Sequence, residues 1–311
     1  MKQTVYPYLR GKQNELLALR ELATQIADSH RLVPIIEPVK DNATTKIAFD
    51  TFVAANMPLV LVTNPEYGDL VDKPMKVKRL LEGTLWTYDN YIAAFIVGRQ
   101  TRLRELQEFE ERYPGVLLAA IYRGEPERIE VRNRLLTESR YYHHAFVGNR
   151  VPRDFQHEFP GVRRIVIEDH FKRQSRNADY PPREFFTDMT TSSGNIDGNG
   201  WGDFSIVGDH FLEKGGGAAH AVALHHVHLA ESGGALDVSH FISDRTETTA
   251  DTSGKTIEAL RKLVDSLEYL SPDQTSACAE YRDIAGAGDA PNLGYMKKLA
   301  IKQHLETLLS L

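Results

Sequence analysis

Two short echoes carry the first candidate chemistry. Asp169-His170-Phe171 follows the apolar run 163–168, Asp209-His210-Phe211 follows the apolar run 203–208, and Ser239-His240-Phe241 repeats the shape further on. Carboxylates at the ends of neighbouring strands repel, which raises the pKa of one of them unless a cation intervenes. Asp169 and Asp209 are therefore candidates for acid/base work or metal ligation, with His240 as a third catalytic group. The competing reading is that both aspartates cap a turn or pair with Arg173 and Lys214.

The second signal is Lys214 followed by Gly215, Gly216 and Gly217. Consecutive glycines expose backbone N–H groups and let an anion approach closely. The run lacks the Gly-Lys-Ser/Thr of a nucleotide-binding P-loop. Arg10 and Lys12, after the first apolar strand, add cations suited to the same anion, and Arg10 can clamp it with two N–H groups. Glu37, Asn64 and Arg173 complete the candidate substrate-binding set. His225, His226 and His228 share one strand. Alternation puts His226 and His228 on one face, where an i, i+2 pair can hold a divalent metal such as zinc, manganese or iron. Arg163, Arg164, Lys172, Arg173 and Arg176, interleaved with aromatic residues, would suit single-stranded nucleic acid or a base, or form a solvated loop.

The elements that must position these groups follow from periodicity. Apolar runs at 4–9, 32–39, 58–63, 91–97, 116–122, 143–147, 163–168 and 203–208 read as eight strands. Most are continuously apolar, as strands buried on both faces are, and helical stretches alternate with them. That pattern predicts an α/β fold, a (β/α)₈ TIM-barrel-like one, with a doubly wound open sheet as the alternative. No GxGxxG follows the first strand, which weighs against dinucleotide binding. A β-hairpin over 221–243 reads as an insertion after strand eight, and 274–311 as a C-terminal helical extension, all within one domain, 1–311. In such a fold ligands meet the carboxyl ends of the strands, and phosphate often sits after the last two.

The bulk numbers bound the rest. The chain has 311 residues and a net charge of −6, so no global field draws it to nucleic acid or anionic lipid. Cys278 is the only cysteine, which excludes an internal disulfide and a cysteine-based zinc site and fits a reducing, cytoplasmic setting. No apolar run reaches the roughly 18 residues that a membrane span needs.

The segments YPYLRGKQNELLALRELA, VPIIEPVK, GDFSIVGDHF with KGGGAAHAVALHHVH, and LGYMKKLAIKQHLE occur in that order over most of the chain. Together they resemble an uncharacterised bacterial family similar in outline to the phage "beta protein" family. The resemblance implies an anti-phage defence neighbourhood and a protein partner encoded by a nearby, nuclease-like gene. It implies no catalytic residue. Two functional expectations follow. One is a hydrolytic, phosphoesterase-like enzyme acting on a phosphorylated or nucleotide-like substrate. The other is a non-catalytic barrel that senses a ligand or binds a partner.

Overall fold

The computed structural model describes residues 3–85, 87–190, 198–212, 219–231, 233–270 and 275–311. The chain divides into two compact units. The first comprises 1–16, 23–169 and 193–204. The second comprises 17–22, 170–192 and 205–311.

In the first unit strands and helices alternate in chain order. They are β1 (Thr4–Val5), β2 (Tyr8–Leu9), α1 (Gln13–Ser29, whose Leu17–Leu22 turns belong to the second unit), β3 (Ile35–Ile36), α2 (Ala43–Ala54), β4 (Leu59–Val62), α3 (Pro74–Leu85), β5 (Tyr91–Val97), α4 (Leu103–Arg112), β6 (Leu118–Tyr122), α5 (Ile129–Thr137), β7 (Tyr141–Val147), α6 (Arg153–Gln156) and β8 (Arg164–Glu168). The strands form one parallel sheet in the order β1-β10-β8-β7-β6-β5-β4-β3-β2, where β10 is Gly200–Asp203. The architecture is α/β and barrel-like. Local chemistry sets the helix starts: Asn42 accepts from the Thr45 amide at 3.0 Å ahead of α2, and Glu15 accepts from the Lys12 amide at 2.9 Å ahead of α1.

Every second strand residue turns into one buried cluster. Tyr6, Tyr8, Ile35, Val60, Val62, Ala94, Ile96, Ala119, Ile121, Ala145, Val147, Ile165, Ile167 and Phe204 belong to it. The intervening residues, such as Leu61, Phe95 and Phe146, are also buried. Burial of both faces is why these strands read as unbroken apolar runs.

The last strand lies earlier than expected. Its pairing residues are Gly200–Asp203, and 205–207 form a 3-10 turn entered through Ser205 at φ 53°. Close packing explains the shift. A Cβ on Gly202 would stand 1.8 Å from the Tyr6 carbonyl oxygen, and one on Gly200 would stand 2.5 Å from that of Thr4. Only glycine lets β10 lie in register beside β1, yet glycine carries no strand signal in a sequence.

The second unit is built on a three-stranded antiparallel sheet, β11-β12-β9. The hairpin expected from the sequence is present as β11 (Ala223–Leu229) and β12 (Leu236–Ile242). A third strand, β9 (Arg183–Thr187), pairs with β12 and was not foreseen. Helices α7 (Thr252–Leu270), α8 (Ser276–Ala287) and α9 (Leu293–Ser310) complete this unit. Leu260, Leu263, Tyr281, Met296 and Leu299 pack with Val222 and Leu224 in its core. Gln303 of α9 closes the edge of β11: its side chain accepts from the Val227 amide at 3.2 Å and donates to the Val227 carbonyl. No described helix is long and apolar enough to cross a membrane.

Candidate functional site

The alternation that fills the first unit's core also decides what stands at the carboxyl ends of its strands. Two residues beyond the inward-facing Tyr8, Ile35, Val62, Ile121 and Ile167 come Arg10, Glu37, Asn64, Arg123 and Asp169. Ladder hydrogen bonds run past the strand ends and fix two of these backbones. The Glu37 amide donates to the Leu9 carbonyl at 2.8 Å, and the Arg123 amide to that of Val97 at 2.9 Å.

Glu37 is fully buried, and two hydrogen-bond donors and one ion pair hold it. Tyr8 Oη donates to Oε2 at 2.9 Å. The Glu66 amide donates to Oε1 at 2.7 Å. Arg10 Nε lies 3.6 Å from Oε2. A buried carboxylate is tolerable only when paired in this way. Burial, and then the neighbouring Glu37 charge, push the Tyr8 phenol well above its ordinary range, so Tyr8 stays neutral and remains a donor.

Two arginines converge on the same rings. The Arg10 guanidinium carbon lies 5.9 Å from the Tyr8 ring centroid, 5.5 Å from Phe204 and 4.8 Å from Tyr67. That of Arg123 lies 5.5 Å from Tyr8 and 5.7 Å from Phe204. Each is held by a carboxylate, Arg10 by Glu37 and Arg123 by Glu66 at 2.9 Å. Both arginine side chains are only 4% exposed. Guanidinium stacks well on aromatic faces and is hydrated less strongly than an ammonium group, which suits such a site. The result is a buried, aromatic-walled cluster of two Arg–Glu ion pairs.

A groove of about 400 Å³ is lined by Arg99, Glu125, Glu127, Arg132 and Arg150, all beyond the ends of β5, β6 and β7. Arg99 pairs with Glu127 at 2.8 Å, and Arg132 with Glu125 at 3.3 Å.

The other residues singled out in the sequence are distributed as follows. Asn64 uses both ends of its amide on the Ile96 backbone, donating to its carbonyl at 3.0 Å and accepting from its amide at 2.7 Å. Lys12 is half-buried at the start of α1. Asp169 is exposed and belongs to the first unit. Asp209, half-buried, and Arg173, exposed, belong to the second. With β10 displaced, the carboxylates in register at the ends of β8 and β10 are Glu168 and Asp203. Lys214, Gly215, Gly216 and Gly217 lie outside the described residues.

His226 and His228 do share a face of β11, with ring centroids 6.2 Å apart. His228 Nδ1 faces the Leu229 carbonyl at 2.9 Å and so must donate, which leaves Nε2 to accept from Ser239 Oγ at 2.9 Å. Both ring nitrogens are thus engaged within the protein. Among the described residues no group of three or more His, Cys, Asp or Glu side chains is placed to hold a metal ion. His240 lies within hydrogen-bonding distance of Glu184 and His225.

Tyr8, Glu66, Tyr67 and Phe204 carry no distinguishing mark in the linear sequence as site residues. For Arg123 a signal existed. It falls on the parity of Ala119 and Ile121, the same relation that places Arg10 after Tyr8. No protein-family model matches the chain, and no curated protein matches it.

Proposed function

We propose that the first unit is a closed (β/α)₈ barrel whose mouth binds the anionic group of a phosphorylated or nucleotide-like substrate, as part of a hydrolytic enzyme. Closure is supported by hydrogen bonds on both edges of the first strand. The Val5 amide donates to the Arg31 carbonyl at 2.7 Å, and the Tyr6 amide to that of Trp201 at 2.7 Å. The observation that carries the anion reading is the convergence of Arg10 and Arg123 over Tyr8 and Phe204. Two preorganised guanidinium groups recognise phosphate at little entropic cost, and the aromatic surroundings suit an attached base. Asp169 stands on the inward parity of the mouth and would supply the acid or base. The defence setting and the partner implied by the family resemblance form the biological side of the same proposal.

Isothermal titration of the whole chain with inorganic phosphate and adenosine monophosphate tests the reading. Binding to wild type that weakens at least tenfold in Arg123→Gln is the expected result. Failure of wild type to bind either compound overturns it. Phosphate release from a panel of phosphate esters, lost in Asp169→Asn, tests hydrolysis separately. Persistent binding without any turnover would favour the ligand-sensing barrel.

A further inference from the structure

The second unit contains a hydrogen-bonded series of titratable groups of its own. His225 and His240 are direct cross-strand partners on β11 and β12. Their Nδ1 atoms lie 2.7 Å apart. His240 Nε2 lies 3.1 Å from Glu184 Oε1 on β9. The His240 side chain is fully buried, and Glu184 is 14% exposed with Lys172 Nζ 3.4 Å from its other oxygen. Phe171 and Tyr180 meet the His225 ring edge-on, with centroids 4.9 and 4.7 Å away.

The contacts determine where the protons sit. An ionised Glu184 only accepts, so His240 donates from Nε2 and keeps its lone pair on Nδ1. The short Nδ1–Nδ1 contact then requires His225 to donate from Nδ1. The lone pair of His225 is left on Nε2, which makes no hydrogen bond among the described residues. His225 is half-buried, so this nitrogen is the open end of the series.

We propose that Glu184, His240 and His225 form a proton relay whose working atom is His225 Nε2, a base toward the hydroxyl group of water or of a small alcohol ligand. In the step, the ligand O–H bond breaks and an Nε2–H bond forms. The Nδ1 proton of His225 moves to His240 Nδ1, and the Nε2 proton of His240 moves to the Glu184 carboxylate. Both imidazoles end neutral with exchanged tautomers, and the negative charge moves from Glu184 to the ligand oxygen. The relay resolves a conflict in the site. Burial, then His240 and Lys297, hold the His225 pKa down at about 3, so a resident positive charge there is costly. Passing the proton inward avoids that charge; here Glu184 takes the proton, unlike the carboxylate of a catalytic triad, which stays ionised beside an imidazolium.

Diethylpyrocarbonate, an acyl donor that reports on the Nε2 lone pair and releases the same Nδ1 proton, tests this on the whole chain. Peptide mapping at pH 7 should find His225 modified at least as fast as the exposed His30. Glu184→Gln keeps an acceptor for His240 but cannot take the proton, and should slow His225 at least tenfold while leaving His30 unchanged. An unchanged His225 rate in that variant overturns the relay, as does an unreactive His225 in wild type. Nitrogen-15 NMR of the wild-type histidines is an independent test: protonated His225 Nδ1 and His240 Nε2 are expected, and the reverse tautomers refute the proposal.

Discussion

The Tyr8 hydroxyl donates to Glu37 Oε2 at 2.9 Å where both side chains are almost wholly removed from water. This bond joins the core of the first unit to the residues at its strand ends, because Tyr8 belongs to the interior cluster and Glu37 pairs with Arg10. Tyr8→Phe keeps the ring and its arginine contacts but withdraws a donor from a buried carboxylate. The expected loss is about 1–3 kcal/mol, measured by urea unfolding. A loss near zero would mean that Glu37 finds another donor.

Alkaline stability should fall from about pH 10. The phenols of Tyr8, Tyr122 and Tyr281 are raised well above 10.0 by burial. Their stabilisation is fully present below the unfolded value and is lost as pH rises above it, because only the unfolded chain then ionises. Thermal midpoints between pH 9 and 11.5 should fall progressively, and less steeply in Tyr8→Phe.

The acid limb should begin unusually early. Burial lowers the pKa of His143 to about 4, and that of His144 and His226 to about 3, from 6.5. Their stabilisation is intact above pH 6.5 and declines as pH falls toward the folded values. Each contributes a slope approaching about 1.4 kcal/mol per pH unit in that window. Stability that does not change between pH 6.5 and 5 would contradict neutral burial.

Gly202→Ala should be among the most damaging single-methyl changes in the first unit. The added carbon meets the Tyr6 backbone first, at a carbonyl oxygen that cannot swing aside as a side chain can. Separating β10 from its neighbour should cost about 3 kcal/mol, seen as a lower thermal midpoint or as insoluble protein. A midpoint equal to wild type would show that β1 can yield.

Gln303→Leu should destabilise the second unit. The change preserves bulk but strips both partners from the Val227 backbone, at a residue with no exposed surface. The expected cost is about 2 kcal/mol. Hydrogen exchange at the Val227 amide, faster in the variant, localises the effect.

Composition and periodicity were enough to reveal alternating helices and buried parallel strands, because a strand covered on both faces has to be apolar throughout. The hairpin was legible for a similar reason: two strand-like runs flank Gly233 and Gly234, whose φ angles of 76° and 79° favour glycine. Arg10 and Glu37 were legible as strand-end residues because Arg10 follows the first apolar run and Glu37 lies near the end of the second. Tertiary structure alone decided the rest. It placed β10 on a glycine-rich segment that packs beside Tyr6, and so set Asp203 opposite Glu168 where the sequence suggests Asp209 beside Asp169. It also brought Arg123 to the ring of Tyr8 and His225 to His240. Periodicity records which side of a strand a residue faces. Register and close approach decide what it meets there, and both depend on contacts between segments far apart in the chain.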